Sequence, residues 1–245
     1  MEEQGQSRLV VAVVLSFVAG LVIATFAGFR EFLPELLRGA LVTVQITLGG
    51  AVVAVIAALV AAISKMYGPL PVRWLAVGYI ETFRGTSALV QLFWMFYVLP
   101  QFGIFLEPFM VAIVALGLNV GAYGAEVIRG AIQSVEKGQW EAGIALNLTR
   151  MQTLRRVILP QAFVAMIPPW GNLFIELLKA TALVSLITLA DLAFKAQQMN
   201  QNTLRTIEIF SIVLVMYLGI SMVITSLMGA LERRASRGLM RGRGA

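Results

Sequence analysis

The sequence predicts an all-α integral membrane protein. Of its 245 residues, 59% are hydrophobic and only 13% are charged, and the mean hydropathy is +0.84. Soluble domains average about half apolar and about a quarter charged residues. Uncharged apolar runs of about 20 residues, the length that crosses the hydrocarbon core as a helix, also recur along the chain.

Six apolar runs are long enough to be membrane spans. They are Leu9–Phe29, Gly39–Ser64, Thr86–Leu106, Pro108–Ala125, a run that begins at Val157, and Ile209–Leu231. The first could instead be a signal peptide. Its flank, however, holds two glutamates against one arginine, and its 21 uncharged residues exceed a usual signal core. We therefore expect it to be retained.

Positive charge orients the spans, because short cytoplasmic loops carry an excess of Lys and Arg. With both termini in the cytoplasm, 14 of the 19 basic residues fall inside: Arg8, Lys65, Arg73, Arg84, Arg129, Lys137, Arg150, Arg155, Arg156, Arg233, Arg234, Arg237, Arg241 and Arg243. The basic C-terminal tail, 233–245, is interpreted as an anchor against anionic lipid, with no role for nucleic acid.

The composition excludes most catalytic chemistry. The chain has no cysteine and no histidine, which removes thiol nucleophiles, zinc sites built on those ligands and Ser-His-Asp triads. Its single aspartate, Asp191, excludes an aspartyl dyad within one chain. None of the four lysines completes the G-x-x-x-x-G-K-[ST] phosphate loop. We expect no enzyme, no cofactor and no metal site here.

A long polar segment, 126–156, separates the fourth and fifth spans. Trp140, Ile144 and Leu148 lie at helical spacing and form one apolar stripe, which Ala142, Ala145 and Leu146 widen. Such a helix suits docking into a groove of another protein. The alternative is that the stripe packs on its own transmembrane bundle.

The end of that helix and the start of the next are both predicted. Asn147 is suited to the left-handed conformation that closes a helix. Thr149 and Gln152 have the spacing of a capping box, so a second helix begins there. It should run through Arg155 and Arg156 into the membrane at Val157, which would let a push on the segment reach the fifth span.

The segment resembles the EAA loop of ABC importer permeases, especially those of the polar amino-acid branch. The matching residues are Gly138, Trp140, Glu141, Ala142, Gly143, Ile144, Ala145, Leu146 and Asn147, followed at the expected distance by Pro160. Two positions depart from the family pattern: Gly143 replaces its usual alanine and Asn147 its usual turn glycine. In that family this helix couples the permease to its ATPase.

The resemblance extends from about Leu36 to Glu232 and includes the runs Glu81–Thr86 and Ala122–Glu126. It implies the type I ABC importer fold of five core transmembrane helices in 36–232, preceded by an extra helix in 1–35. It also implies a bacterial inner membrane location. The implied partners are a second permease, identical or similar, two ATPase subunits that carry the ATP and Mg, and an external substrate-binding protein.

Spans four and five hold the polar residues at membrane depth. Gly117 and Gly121 in span four have the spacing of a helix packing seam, and Asn119 between them either bonds a neighbouring helix or touches substrate. In span five, Pro168–Pro169 is expected to interrupt the helix. The predicted path residues are Gln91, Asn119, Asn172, Glu176, Lys179 and Thr181.

Glu176 and Lys179 leave two interpretations open. An ionisable pair in an apolar setting indicates a transport pathway, but Lys179 lies far enough along the helix to snorkel at the headgroups. The same pair could carry ion coupling in a secondary transporter, which is the alternative function.

Ala180 stands where the related permeases often have an acidic residue, which disfavours a cationic substrate. The runs 85–94 and 169–181 look most like permeases for ectoine and hydroxyectoine.

Overall fold

The computed structural model describes the backbone of residues 2–240 and the side chains of residues 31–236. Every regular element in that part of the chain is helical, as predicted. The α-helices are α1 (Glu2–Tyr67), α2 (Leu70–Gly85), α3 (Ala88–Phe93), α4 (Pro108–Ser134), α5 (Lys137–Ala145), α6 (Arg150–Thr153), α7 (Leu159–Ala180), α8 (Leu192–Thr203) and α9 (Thr206–Met240). The predicted first span and most of the basic tail lie outside the described side chains.

Shorter helical turns extend some of these helices. π-Helical turns follow α3 and α6, at Trp94–Val98 and Leu154–Ile158, and 3-10 turns occupy Leu99–Phe102 and Thr181–Ile187. Four stretches of the described residues are long and apolar enough to cross a membrane: Glu31–Tyr67, Pro108–Ser134, Arg150–Ile187 and Thr206–Ser236.

Helices α1 and α4 run side by side in the same direction. A Cβ built on Gly117 would lie 2.7 Å from Val53 Cβ, and one on Gly121 would lie 2.9 Å from Ala57 Cβ. Positions in contact therefore increase in number together along both helices, as in a parallel pair. The glycines of span four form the predicted packing seam, since only small residues allow helices to approach this closely.

Because α1 and α4 are parallel, the chain between them must return across the bundle. It does so in two pieces, α2 and α3, which meet at Thr86–Ser87. The predicted third span, Thr86–Leu106, is shorter than expected: the apolar helix there covers Ala88–Phe102, fewer than the about 20 residues that usually cross the hydrocarbon core. The charged residues of α2 lower its mean hydropathy, so the sequence did not predict that α2 contributes to this return across the bundle.

Helix α7 runs in the opposite direction to α4. Trp170 lies against Gly124, while Leu177 lies against Gly50, which itself approaches Gly117. The expected interruption at Pro168–Pro169 is wrong, because α7 continues through both prolines. Both are exposed, so the unpaired carbonyls of the preceding turn fall on an open face, and packing against α4 and α9 holds the helix together.

The bundle has two chemically different ends. The end that carries α5, termed the coupling end, gathers Lys65, Arg129, Lys137, Arg150, Arg155, Arg156, Arg233 and Arg234. At the opposite end glutamates balance the basic residues: Glu35 pairs with Arg38 and Lys195, and Glu31 with Arg205. This asymmetry accords with a coupling end that faces the cytoplasm.

Candidate coupling surface and translocation path

Helix α5 forms and ends as the sequence predicts. It covers Lys137–Ala145, and Asn147 follows in the left-handed conformation with φ 57°. The amide of Leu148 donates to the carbonyl of Gly143 at 3.0 Å, and that of Asn147 to Ile144 at 2.9 Å. These two bonds satisfy carbonyls that the helix end would leave free, so Asn147 serves in place of glycine.

The predicted capping box is confirmed. The amide of Gln152 donates to Thr149 Oγ1 at 3.3 Å, and the amide of Thr149 donates to Gln152 Oε1 at 2.8 Å. From this cap the helix continues through the π turn into α7 without a break. One continuous helical rod therefore leads from the turn after α5 into the fifth span.

The apolar stripe of α5 divides between two surroundings. Trp140 is half-buried and packs against the bundle core, and Gly143 is buried against Thr153. Ile144 is 73% exposed and Leu146 72% exposed. The other residues of the predicted coupling set, Gly138, Glu141, Ala142, Ala145, Asn147 and Pro160, are exposed as well. The stripe thus packs on its own bundle on one face and is exposed on the other.

The exposed face of α5 has the chemistry of a docking surface. Glu141 supplies one carboxylate and Ile144 a projecting apolar group. The small side chains of Ala142 and Ala145 allow the main chain of a partner to approach closely. An exposed apolar group beside small residues at a helix tip loses little conformational entropy when covered. The arrangement suits insertion into a cleft.

Gln91 and Asn119 are brought together, although 28 residues separate them. The Asn119 amide donates to Gln91 Oε1 at 3.1 Å and to the Phe83 carbonyl at 3.0 Å. Gln91 Nε2 donates to Phe83 O at 2.9 Å and to Thr86 Oγ1 at 2.7 Å. These amides therefore hold the break between α2 and α3, which favours the neighbouring-helix interpretation of Asn119.

Two charged residues next to this break were not among the predicted path residues. Glu81 and Arg84 are exposed in the last turns of α2, and the Arg84 guanidinium lies 5.6 Å from the ring centre of Tyr123. Tyr123 also donates to the Arg84 carbonyl at 3.3 Å. Arg84 thus lies beside the middle of α4, and the charge count that placed it at the cytoplasmic side could not reveal this.

On α7, Asn172, Glu176 and Lys179 share one exposed stripe at positions i, i+4 and i+7. Among the described ion pairs none joins Glu176 to Lys179. Both charges therefore remain available on the open face. The stripe is level with Asn119, because its neighbours Trp170 and Leu177 pack near Gly124 and Gly50.

Thr181 does not face a path. It is fully buried, and its hydroxyl donates to the Leu178 carbonyl at 2.7 Å. This corrects the prediction: Thr181 follows Leu177 and Leu178 by four and three residues, so it continues their buried face and not the stripe of Lys179.

An ion cluster ties α1 to α4 at the coupling end. Glu126 accepts from Lys65 and from Arg129, each at 2.7 Å, so one carboxylate pairs with both cations. No group of three His, Cys, Asp or Glu side chains suited to a metal occurs among the described residues.

Residues 50–237 match the family described as the inner membrane component of binding-protein-dependent transport systems. The chain belongs to this family. The match begins within α1 and includes the later membrane helices, the helix-turn-helix and both predicted site regions. An inner membrane transport component is a multi-pass membrane protein and not an enzyme, which agrees with the absence of cysteine and histidine from the sequence.

Relatives within the binding-protein-dependent transport family are similar over most of their length. The probable amino-acid ABC transporter permease protein y4tF of Sinorhizobium fredii is 43% identical, over 85% of this chain and 90% of that protein. The L-cystine transport system permease protein TcyB of Bacillus subtilis is 42% identical, over 85% and 89%.

A solved structure has the same fold. A crystal structure described as an amino acid ABC transporter with histidines matches with a TM-score of 0.80 and 36% identity, over 85% of this chain and 98% of that chain. The type I permease fold implied by the resemblance is therefore confirmed.

Proposed function

We propose that this chain is the permease subunit of an ATP-driven importer for zwitterionic amino acids or amino-acid-like solutes. One observation carries the proposal: α5 presents Glu141 and an unpartnered apolar face to solvent, and a capped turn joins it rigidly to α7, which bears the polar stripe. The chain would form half of a translocation path. A second permease, two ATPases and an external binding protein would complete the complex.

In the proposed mechanism the ATPase moves α5 and the permease converts that motion into access. ATP and Mg bind to the partner. Glu141 and Ile144 would seat in the ATPase cleft, and closure of that cleft would displace α5. Because the capping box starts α6 and the π turn continues that helix into α7, the displacement would tilt α7 and move its exposed stripe between two orientations.

The path is proposed to follow the exposed stripe of α7. Asn172, Glu176 and Lys179 would line it, with Gln91 and Asn119 holding the facing corner between α2 and α3. Two opposite charges that are not paired to each other can bind the ammonium and the carboxylate of one zwitterion.

Two observations support a zwitterionic substrate. One relative is named as an L-cystine transport permease, and one solved structure is described as an amino acid ABC transporter with histidines. Cystine and histidine both have ammonium and carboxylate groups. Ala180 supplies no carboxylate beside Lys179, which favours a substrate without surplus positive charge. Ectoine and hydroxyectoine fit this chemistry and remain the proposed substrates of first choice.

Charge reversal on α5 tests the coupling. Glu141→Lys is expected to abolish uptake and the ATPase stimulation by binding protein, while the amount of permease in the membrane stays unchanged. Glu136→Lys, at an exposed residue just before the same helix, is the control and should transport substrate. Full uptake by the Glu141 variant would refute the coupling role.

A substrate panel tests the path. Ectoine, hydroxyectoine, cystine, glutamine and arginine are offered to the complex with its binding protein, and ATPase stimulation is measured. Glu176→Gln and Lys179→Gln should each raise the substrate concentration for half-maximal transport without loss of subunit assembly. Stimulation by arginine alone would contradict the zwitterion proposal.

A further inference from the structure

A cavity of about 540 Å³ opens at the coupling end, between the bundle and the inner side of α5. It lies where α1 and α4 end and α6 begins, so its walls come from four helices. Tyr67, Ile132, Trp140 and Leu154 form an apolar floor, and Lys137 and Arg150 stand at its rim. Its volume is in the range of pockets that bind small organic molecules.

The rim is cationic and unopposed. No acidic residue lines this cavity, and none of the described ion pairs includes Lys137 or Arg150. Lys65 and Arg129 differ, because both pair with Glu126. The two rim cations therefore have no partner among the described ion pairs.

The depth of the cavity in the membrane follows from the helices that form it. Its floor coincides with the ends of the membrane-length stretches Glu31–Tyr67 and Pro108–Ser134 and with the start of Arg150–Ile187. That is the level of the lipid headgroups, where basic pockets between transmembrane helices bind anionic headgroups. An apolar floor below two cations matches a phosphate with acyl carbons attached, whereas free phosphate would leave the floor uncovered.

We propose that this cavity binds one anionic phospholipid, with the headgroup phosphate between Lys137 and Arg150 and the glycerol end of the acyl chains on the apolar floor. Trp140 and Lys137 belong to α5, so a lipid seated here braces α5 against the bundle. A second cavity on the outer side of α5 shares these cations but includes Glu141, and that carboxylate disfavours an anion there. The proposal concerns lipid binding and is independent of the transport role.

Retention of phosphatidylglycerol by the full chain tests the site. The protein, with any subunits that accompany it, is placed in nanodiscs of phosphatidylcholine with a minor fraction of phosphatidylglycerol, then released and measured by native mass spectrometry. Lys137→Gln with Arg150→Gln should weaken phosphatidylglycerol retention about fivefold for each charge removed. Lys137→Arg with Arg150→Lys should keep it.

The matched control removes two other exposed cations of the same end, Arg155→Gln with Arg156→Gln, which do not line the cavity. It should retain the lipid as the unmodified chain does. Equal loss in both double variants would show a general surface attraction and overturn the site. Unchanged retention in the Lys137 and Arg150 variant would overturn it too, as would displacement of the lipid by inorganic phosphate.

Hydrogen exchange gives a second readout. Amides of 137–145 should exchange more slowly in nanodiscs that contain phosphatidylglycerol than in phosphatidylcholine alone, and this difference should vanish in the Lys137→Gln, Arg150→Gln variant. An equal difference in that variant would contradict bracing through the cavity.

Discussion

Asp191, the single aspartate of the chain, is buried at the start of α8. Its Oδ1 accepts from the Phe194 amide at 2.9 Å and caps the helix, while Oδ2 is buried without a hydrogen-bond partner. Burial disfavours the ionised carboxylate and raises the pKa of Asp191 from 3.8 to about 6. The folded protein therefore holds this proton more tightly than the unfolded chain.

Asp191→Asn should remove a pH dependence of stability. The contribution of Asp191 is fully present below its unfolded pKa of 3.8 and is lost as pH rises through about 6. At neutral pH the variant should be more stable by ~3 kcal/mol, because asparagine caps equally well and carries no buried charge. Thermal unfolding in detergent from pH 4 to pH 7 measures this. A stability difference that stays constant with pH would contradict the assignment.

Gly143 is required by the close approach of α5 to α6. A Cβ at this position would lie 2.5 Å from Thr153 Cγ2 and Oγ1, and Thr153 is only 2% exposed. Gly143→Ala should therefore force the two helices apart and cost ~1–3 kcal/mol, as overpacked cores do. Thermal unfolding and exchange of the α6 amides measure the change.

Two further variants isolate that contact. Gly138→Ala makes the same substitution in the same helix, where a Cβ meets nothing within 4 Å, and it should be neutral or stabilising. Gly143→Ala combined with Thr153→Ala should recover most of the loss. A double variant as unstable as the single one would show that Thr153 is not the obstacle.

For individual residues, the sequence predicted the roles that depend on contacts within a few positions along the chain. Asn147 closes a helix and Thr149 caps the next through contacts within a few positions, so spacing alone predicted both. The contact between Gly143 and Thr153, the bond between Gln91 and Asn119, and the burial of Thr181 depend on how separate helices pack. No local pattern encodes these, because partners many residues apart decide them.

Among the elements, the short helix α6 depends most on its cap. Thr149→Ala removes the bond from the Gln152 amide to Thr149 Oγ1 and keeps only the bond from the residue 149 amide to Gln152 Oε1. The loss should be ~1 kcal/mol, seen as faster exchange of the first α6 amides, while Thr149→Ser should exchange as the unmodified chain does. Faster exchange in the serine variant as well would indicate that the methyl group, not the cap, matters.

The predicted helix boundaries agree with the structure only where a change in hydropathy coincides with the end of a helix. The start of α4 at Pro108 was predicted, but its end lies at Ser134, beyond the expected Ala125. Polar residues end an apolar run without ending a helix, since the backbone bonds continue and Glu126 finds cations on α1 and α4. Helix α7 continues through Pro168–Pro169 for a different reason: its packing against α4 and α9 offsets the loss of two backbone hydrogen bonds.

For the whole molecule, the sequence predicted a helical membrane bundle with a basic end but missed how the chain crosses it. The parallel pair α1 and α4 requires a return between Tyr67 and Pro108, and only the three-dimensional arrangement assigns it to α2 and α3 together. Arg73, Glu81 and Arg84 lower the mean hydropathy of α2, so a hydropathy window does not detect this crossing. Arg84, beside Tyr123, also places a charge at about the level of the polar stripe of α7, where a path for a zwitterion would need it.

The parallel pair itself rests on the glycine seam of α4, which gives a last prediction. A Cβ on Gly117 would lie 2.9 Å from the Gly50 carbonyl oxygen and 2.7 Å from Val53 Cβ. Since backbone atoms cannot turn aside, Gly117→Ala should separate the helices and destabilise the bundle by ~2–4 kcal/mol. Gly130→Ala in the same helix, with nothing within 4 Å, should not. If thermal unfolding showed both variants equally affected, helix propensity rather than the seam would govern the pair, and the parallel contact would lose its role in holding the fold.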